Sequence, residues 1–169
     1  RTTYASCPGP IASVEQEQFS THGLYLSAGA DARHTLYVVH HGTRESIEVF
    51  EVDARVGAPR LTWRGCVEAP AGVTFNSVTA LPGRGFAATH FNRPVGALWE
   101  WQPETEWAKV PGFETNGPNG LVSSPDGRWF YDGFGIEGEE GDFIAIGAGV
   151  MILVSGKIVH MAFWLLASL

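Results

Sequence analysis

The sequence predicts an all-β protein: a partial six-bladed β-propeller made of four-stranded antiparallel blades. Three observations predict it. Twenty-one Gly and 10 Pro among 169 residues punctuate the chain too often for long helices and suit short strands joined by tight turns. With 44% hydrophobic and 17% charged residues, the chain has apolar material for one ordinary core, which sets disorder aside. One hairpin design recurs from residues 22, 76 and 119, near the ~40–50-residue period of four-stranded blades.

The first hairpin runs from His22-Gly23-Leu24-Tyr25-Leu26 through a turn at Gly29 to Arg33 into Leu36-Tyr37-Val38-Val39-His40-His41. The second runs from Asn76-Ser77-Val78-Thr79-Ala80 through Pro82-Gly83-Arg84-Gly85 into Phe86-Ala87-Ala88-Thr89-His90. The third joins Asn119-Gly120-Leu121-Val122-Ser123 to Trp129-Phe130-Tyr131 through Pro125-Asp126-Gly127. In each, Pro, Asp and Gly supply the turn between two apolar strands. Two further strand pairs fall between them: 46–53 with 61–68, and 97–101 with 106–110. Ile47, Val49 and Val52 alternate with acids, as a half-exposed strand should. Trp63, Trp99, Trp101, Trp107 and Trp129 fall on predicted strands, where core packing is their expected role.

At roughly 45 residues per blade, six blades need about 270 residues, so residues 1–135 are expected to hold two to three of six. Arg1, with no initiator Met and no leader pattern, fits an excised or incomplete chain. Residues 136–169 depart from the design, with an acidic loop followed by apolar runs at 143–154 and 158–169. Either run is too short for the ~20 residues of a membrane helix, and Lys157 stands between them. Two buried strands, a helix over an open edge, or a tail read in a shifted frame are the expectations there.

The net charge of −7, from 11 Lys plus Arg against 18 Asp plus Glu, comes with no cluster of basic residues and excludes nucleic acid as an expected partner. Cys7 and Cys66 are too few for a disulfide framework and lack zinc spacing, but could form one bridge in an oxidising compartment. Gly72, Gly117 and Gly120 form no phosphate loop. No Gly-x-Ser-x-Gly elbow marks a serine esterase.

In a propeller the first strand of every blade lines the central channel. His22, Asn76 and Asn119 hold equivalent places at the starts of those strands, so they are expected to converge on a ligand or metal site on the axis. Asn oxygens are hard, neutral donors suited to Ca²⁺. Zinc is disfavoured, because His40 and His41, the one adjacent pair, point to opposite faces of a strand.

The run Leu36-Tyr37-Val38-Val39-His40-His41-Gly42, with Glu45-Ser46-Ile47-Glu48-Val49-Phe50 after it, His22-Gly23 before it and Phe75-Asn76-Ser77-Val78 beyond, resembles the paraoxonase/arylesterase family. The segment Asn119-Gly120-Leu121-Val122-Ser123-Ser124-Pro125-Asp126-Gly127-Arg128-Trp129-Phe130-Tyr131 is similar to one shared with the senescence marker protein/gluconolactonase and strictosidine-synthase-like six-bladed propellers. The resemblance covers residues 20 to 134. It implies that His22 is the base that activates water, that His41 assists it, and that Asn76 and Asn119 are ligands of a catalytic calcium. His40 stands where the family has Asn, and Ser77 where it has Asp, a ligand of a second calcium; that second site is not expected here.

The implied activity is calcium-dependent hydrolysis of lactones or aryl esters by the complete protein; this chain, an incomplete copy without counterparts of the remaining calcium ligands, is expected to be inactive alone. The metal polarises the carbonyl while a neutral imidazole takes a proton from water. The alternatives are a non-catalytic propeller that binds or scaffolds, and a strictosidine-synthase-like relative with another reaction in the same channel.

Overall fold

Short runs of alternating apolar residues, each ended by a Gly- or Pro-bearing turn, fold residues 21–68 into a single antiparallel meander. Strands β2 (Thr21–Ser27), β3 (Arg33–His40), β4 (Ser46–Asp53) and β5 (Arg60–Glu68) are neighbours in that order, and β1 (Tyr4–Ala5) lies parallel to β5 at the outer edge. The second sheet repeats the plan with β6 (Phe75–Ala80), β7 (Phe86–His90), β8 (Ala97–Gln102) and β9 (Glu106–Lys109). A third has the order β10 (Pro118–Ser123), β11 (Trp129–Phe134), β14 (Ala148–Leu153), β15 (Ala162–Leu165), and β12 (Ile136–Glu137) pairs with β13 (Phe143–Ile144). This computed structural model describes residues 4–5, 7, 19–55, 57–124, 129–134, 136–137, 143–144, 148–153 and 162–165.

The all-β class holds: helix among the described residues is confined to two 3-10 turns, Ala30–Ala32 and Pro82–Arg84. They occupy the two turn segments expected from Gly29 to Arg33 and from Pro82 to Gly85. The expected turn at Pro125-Asp126-Gly127 and the side chain of Trp129 lie outside the described residues. Within 136–169, β14 pairs with β11 and β15 with β14. No described helix is long and apolar enough to cross a membrane.

The period-2 alternation of the strands gives each sheet two faces, and the sheets stack face to face in series. Tyr37, Val39, Ile47, Val49 and Val67 of the first sheet bury against Phe75, Val78, Phe86, Ala88 and Trp101 of the second. The opposite face of the second sheet, through Ala87 and Leu98, packs with Val110 and Phe113 against Leu121 and Phe130 of the third. Phe86 anchors the first seam: it is fully buried, stacked on Trp101 (centroids 5.0 Å) and 5.6 Å from Tyr37. Burying such a ring stabilises the fold by ~1.5–3 kcal/mol.

Tyr4 closes the same seam from outside. Its ring lies 5.6 Å from Trp101, and its hydroxyl donates to the Arg84 carbonyl oxygen (3.2 Å). The strand carrying it is tied down by a Cys7–Cys66 disulfide with Cα atoms 5.7 Å apart. Gly65, paired with Tyr4 and at φ +137°, is required there, because a Cβ would strike the Tyr4 carbonyl oxygen.

One expectation is corrected. Strand β4 is not half-exposed over its first half: Ser46, Ile47, Glu48 and Val49 are all buried, Glu48 at 0% exposure. The acid is tolerated because its charge is matched. Oε1 of Glu48 accepts from Arg44 Nε (2.9 Å) and Ser46 Oγ (2.8 Å), and Oε2 accepts from Trp63 Nε1 (2.8 Å). A buried carboxylate without such donors would cost several kcal/mol.

Candidate functional site

The pairing register of each hairpin slips at one place, and the three places correspond. Between β2 and β3 the slip lies between Thr21 and Leu24, leaving His22 and Gly23 unpaired; between β6 and β7 it falls at Asn76; between β10 and β11 it falls at Asn119. A bulge re-aims the side chain it carries and frees it from the ladder, so bulges gather at functional sites. His22, Asn76 and Asn119 thus each occupy the irregular position near the start of the first strand of an antiparallel run, β2, β6 or β10.

Those first strands lie side by side. Gly23 passes so close to Asn76 that a Cβ would collide with the Asn76 carbonyl oxygen, which ties the residue after His22 to the bulge of β6. From β6 to β10, Ser77 Oγ accepts from Leu121 N (3.2 Å) and Thr79 Oγ1 from Ser123 N (3.0 Å). The buried Thr89 hydroxyl accepts from Ser77 N at 3.1 Å. Asn76 is 8% exposed, whereas Asn119 is exposed.

Two histidines meet at the edge of the first sheet. Nδ1 of His22 lies 3.0 Å from Nε2 of His41, with the rings near edge-on (centroids 5.2 Å, 69°). His41 is held through its backbone N–H to the Ser20 carbonyl (2.9 Å) and through Nδ1 to both oxygens of Glu45 (2.9 Å each). Glu45 Oε1 also accepts from Phe75 N (2.9 Å), the residue before Asn76. His22, His41, Glu45 and Phe75 therefore form one hydrogen-bonded line from β2 to β6. His40 goes elsewhere, buried with Nδ1 2.9 Å from the Arg44 carbonyl oxygen, so the expected divergence of the two adjacent histidines is observed.

One carboxylate near the third bulge lacks partners. Asp132 on β11, paired with Leu121, is 1% exposed, and neither of its oxygens has a hydrogen bond of good geometry among the described residues, the Asn119 N–H being a weak neighbour. Burial pushes its carboxyl up to about 7, offset in part by the nearby Asn119 N–H. By type, the neutral amide oxygens of Asn76 and Asn119 and the unpartnered carboxylate of Asp132 are donors that a hard cation takes. Among the described residues the one compact group of metal-ligand types is Cys7, Glu48 and Cys66. It is not a metal site, since the sulfurs are bonded to each other and Glu48 is occupied by Arg44, Ser46 and Trp63.

No protein-family model and no curated protein matches this chain.

Sequence reasoning singled out His22, His41, Asn76 and Asn119 but missed Glu45, Thr89 and Asp132. Glu45 carries one weak signal, an acid four residues beyond His41 just before a strand. Thr89 and Asp132 sit at ordinary strand positions, and only the stacking of the sheets makes one a clamp and the other an orphan.

Proposed function

We propose that the protein hydrolyses ester bonds in lactones or aryl esters with the help of calcium, and that its sheets are blades of a six-bladed propeller. The observation carrying the reading is the recurrence of a bulge at His22, Asn76 and Asn119, with His41 directly behind His22. Exposure supports the propeller. Leu24 corresponds to Val78 and Leu121 in the repeat, yet it is 61% exposed where they are 0% and 8%. Its face of the first sheet is that of a wedge awaiting a further sheet of the same build.

In this reading His22 takes a proton from water, whose oxygen adds to the carbonyl carbon. The imidazolium then returns the proton to the departing alkoxide or phenoxide, so the histidine is regenerated. His41 holds the His22 ring at an angle fixed by the 3.0 Å contact. Calcium held by Asn76 and Asn119, when bound, supplies polarisation of the carbonyl oxygen and balances the oxyanion charge.

The test is turnover of phenyl acetate and of a γ-lactone by the protein carrying all six blades, with and without calcium. The expected result is activity that is lost on adding a chelator and lost in His22→Gln. Turnover that is indifferent to both, or no turnover with calcium present, overturns the proposal.

A further inference from the structure

The geometry points to Glu45 as the positioning residue that decides which nitrogen of His22 carries the free lone pair, an assignment that rests on the reading of His22 as the base. A carboxylate only accepts hydrogen bonds. Both oxygens of Glu45 lie 2.9 Å from His41 Nδ1, so that nitrogen carries the hydrogen. In the neutral ring, His41 Nε2 then holds a lone pair. It faces His22 Nδ1 at 3.0 Å, and two lone pairs do not face each other at that distance, so His22 Nδ1 is the donor. The remaining nitrogen, Nε2 of His22, is left with the lone pair that general-base chemistry needs.

Without the carboxylate the chain of donors can run the other way. His41 Nε2–H would donate to His22 Nδ1, and His22 Nε2 would carry a hydrogen and accept nothing. Glu45 thus acts on His22 through His41 and touches no substrate. Its own placement is fixed on both sides. Its carbonyl oxygen accepts from Ala69 N (2.9 Å), and its Oε1 accepts from Phe75 N (2.9 Å), which sets the histidine pair against the strand bearing Asn76. The side chains of His41 and Glu45 are 24% and 26% exposed. Water therefore screens the pair, and the effect is read as a tautomer population rather than a large change in stability.

The experiment is long-range ¹H–¹⁵N correlation on the whole ¹⁵N-labelled chain near pH ~8, where neutral imidazole dominates, compared across the parent, Glu45→Gln and Glu45→Leu. The parent should show a pyrrole-type Nδ1 and a pyridine-type Nε2 for His22. Both variants should shift the His22 tautomer ratio at least about threefold toward Nε2–H. The backbone amide spectrum reports folding, and Glu45→Gln, close to isosteric, decides the matter if the Leu variant does not fold. A parent with Nε2–H on His22, or a ratio unchanged in a folded variant, overturns the assignment.

Phenyl acetate turnover separates this from the hydrolase reading. A kcat lowered roughly tenfold or more in Glu45→Gln with KM near the parent value supports the role, and an unchanged kcat overturns it while leaving the hydrolase intact. The expected tautomers in the parent and their shift in the variants, without turnover by the parent, support the Glu45 assignment and count against the hydrolase.

Discussion

The Thr89 hydroxyl donates to the Asn119 carbonyl oxygen across the seam between the second and third sheets (3.2 Å). The Thr89 hydroxyl oxygen itself accepts the Ser77 N–H, so one buried atom holds the residue after the second bulge and the residue at the third. Thr89→Val keeps the shape and removes both bonds. Two partly buried backbone groups would then lose their partner, which costs ~0.5–1.5 kcal/mol each. Thermal melts should show a clear drop in Tm, and any calcium-dependent turnover should fall with it. An unchanged Tm would show that the clamp carries no weight.

Asp132 should make stability fall as pH rises. Its folded carboxyl titrates at about 7 against 3.8 for an ordinary Asp. The folded state therefore holds the proton where the unfolded state has lost it. The contribution is fully present below about pH 4 and is lost as pH rises to about 7, a swing on the order of 4 kcal/mol. Asp132→Asn should flatten that part of the profile and stabilise the protein near pH 8. Urea melts of parent and variant at several pH values measure the difference, and parallel profiles would contradict it.

The Cys7–Cys66 bridge spans 59 residues of chain. In the chain-entropy view a loop of that length contributes about 4 kcal/mol. Cys7→Ser should lower the denaturant midpoint, and reductant should lower the parent's midpoint while leaving the variant's alone.

Phe86→Ala should be among the most destabilising substitutions, at ~3–5 kcal/mol. The ring is fully buried and in contact with rings from both sheets and from Tyr4. Chemical denaturation would measure it, and a loss below about 1 kcal/mol would mean the seam closes around the gap.

The strands and turns were legible because their chemistry is local: Pro82-Gly83-Arg84 forms its 3-10 turn with residues that sit next to one another. The repeat was legible too, since Leu24, Val78 and Leu121 recur at one place in a pattern. The bulges were not. A bulge is a mismatch between two strands, and neither Asn76 nor its neighbours announce that Phe75 pairs with His90 while Ser77 pairs with Thr89. Glu48 was misread for a related reason. Alternation assumes that one face meets water, whereas Trp63 and Arg44 cover that face at the position of Glu48. Glu45 shows the same limit at the site, where its importance comes from Phe75, thirty residues away.

Tyr4 and Cys7 belong to one short stretch, yet they secure different things: the ring is wedged at the meeting of two sheets and the sulfur is stapled to one of them. Proteolysis ahead of residue 8 would leave that stretch hanging on the disulfide alone, and reduction would then release wedge and staple together, bare the rim of β5, and leave Trp101 and Phe86 open to water. A label is better carried at the exposed turn near Gly57 than beside that joint.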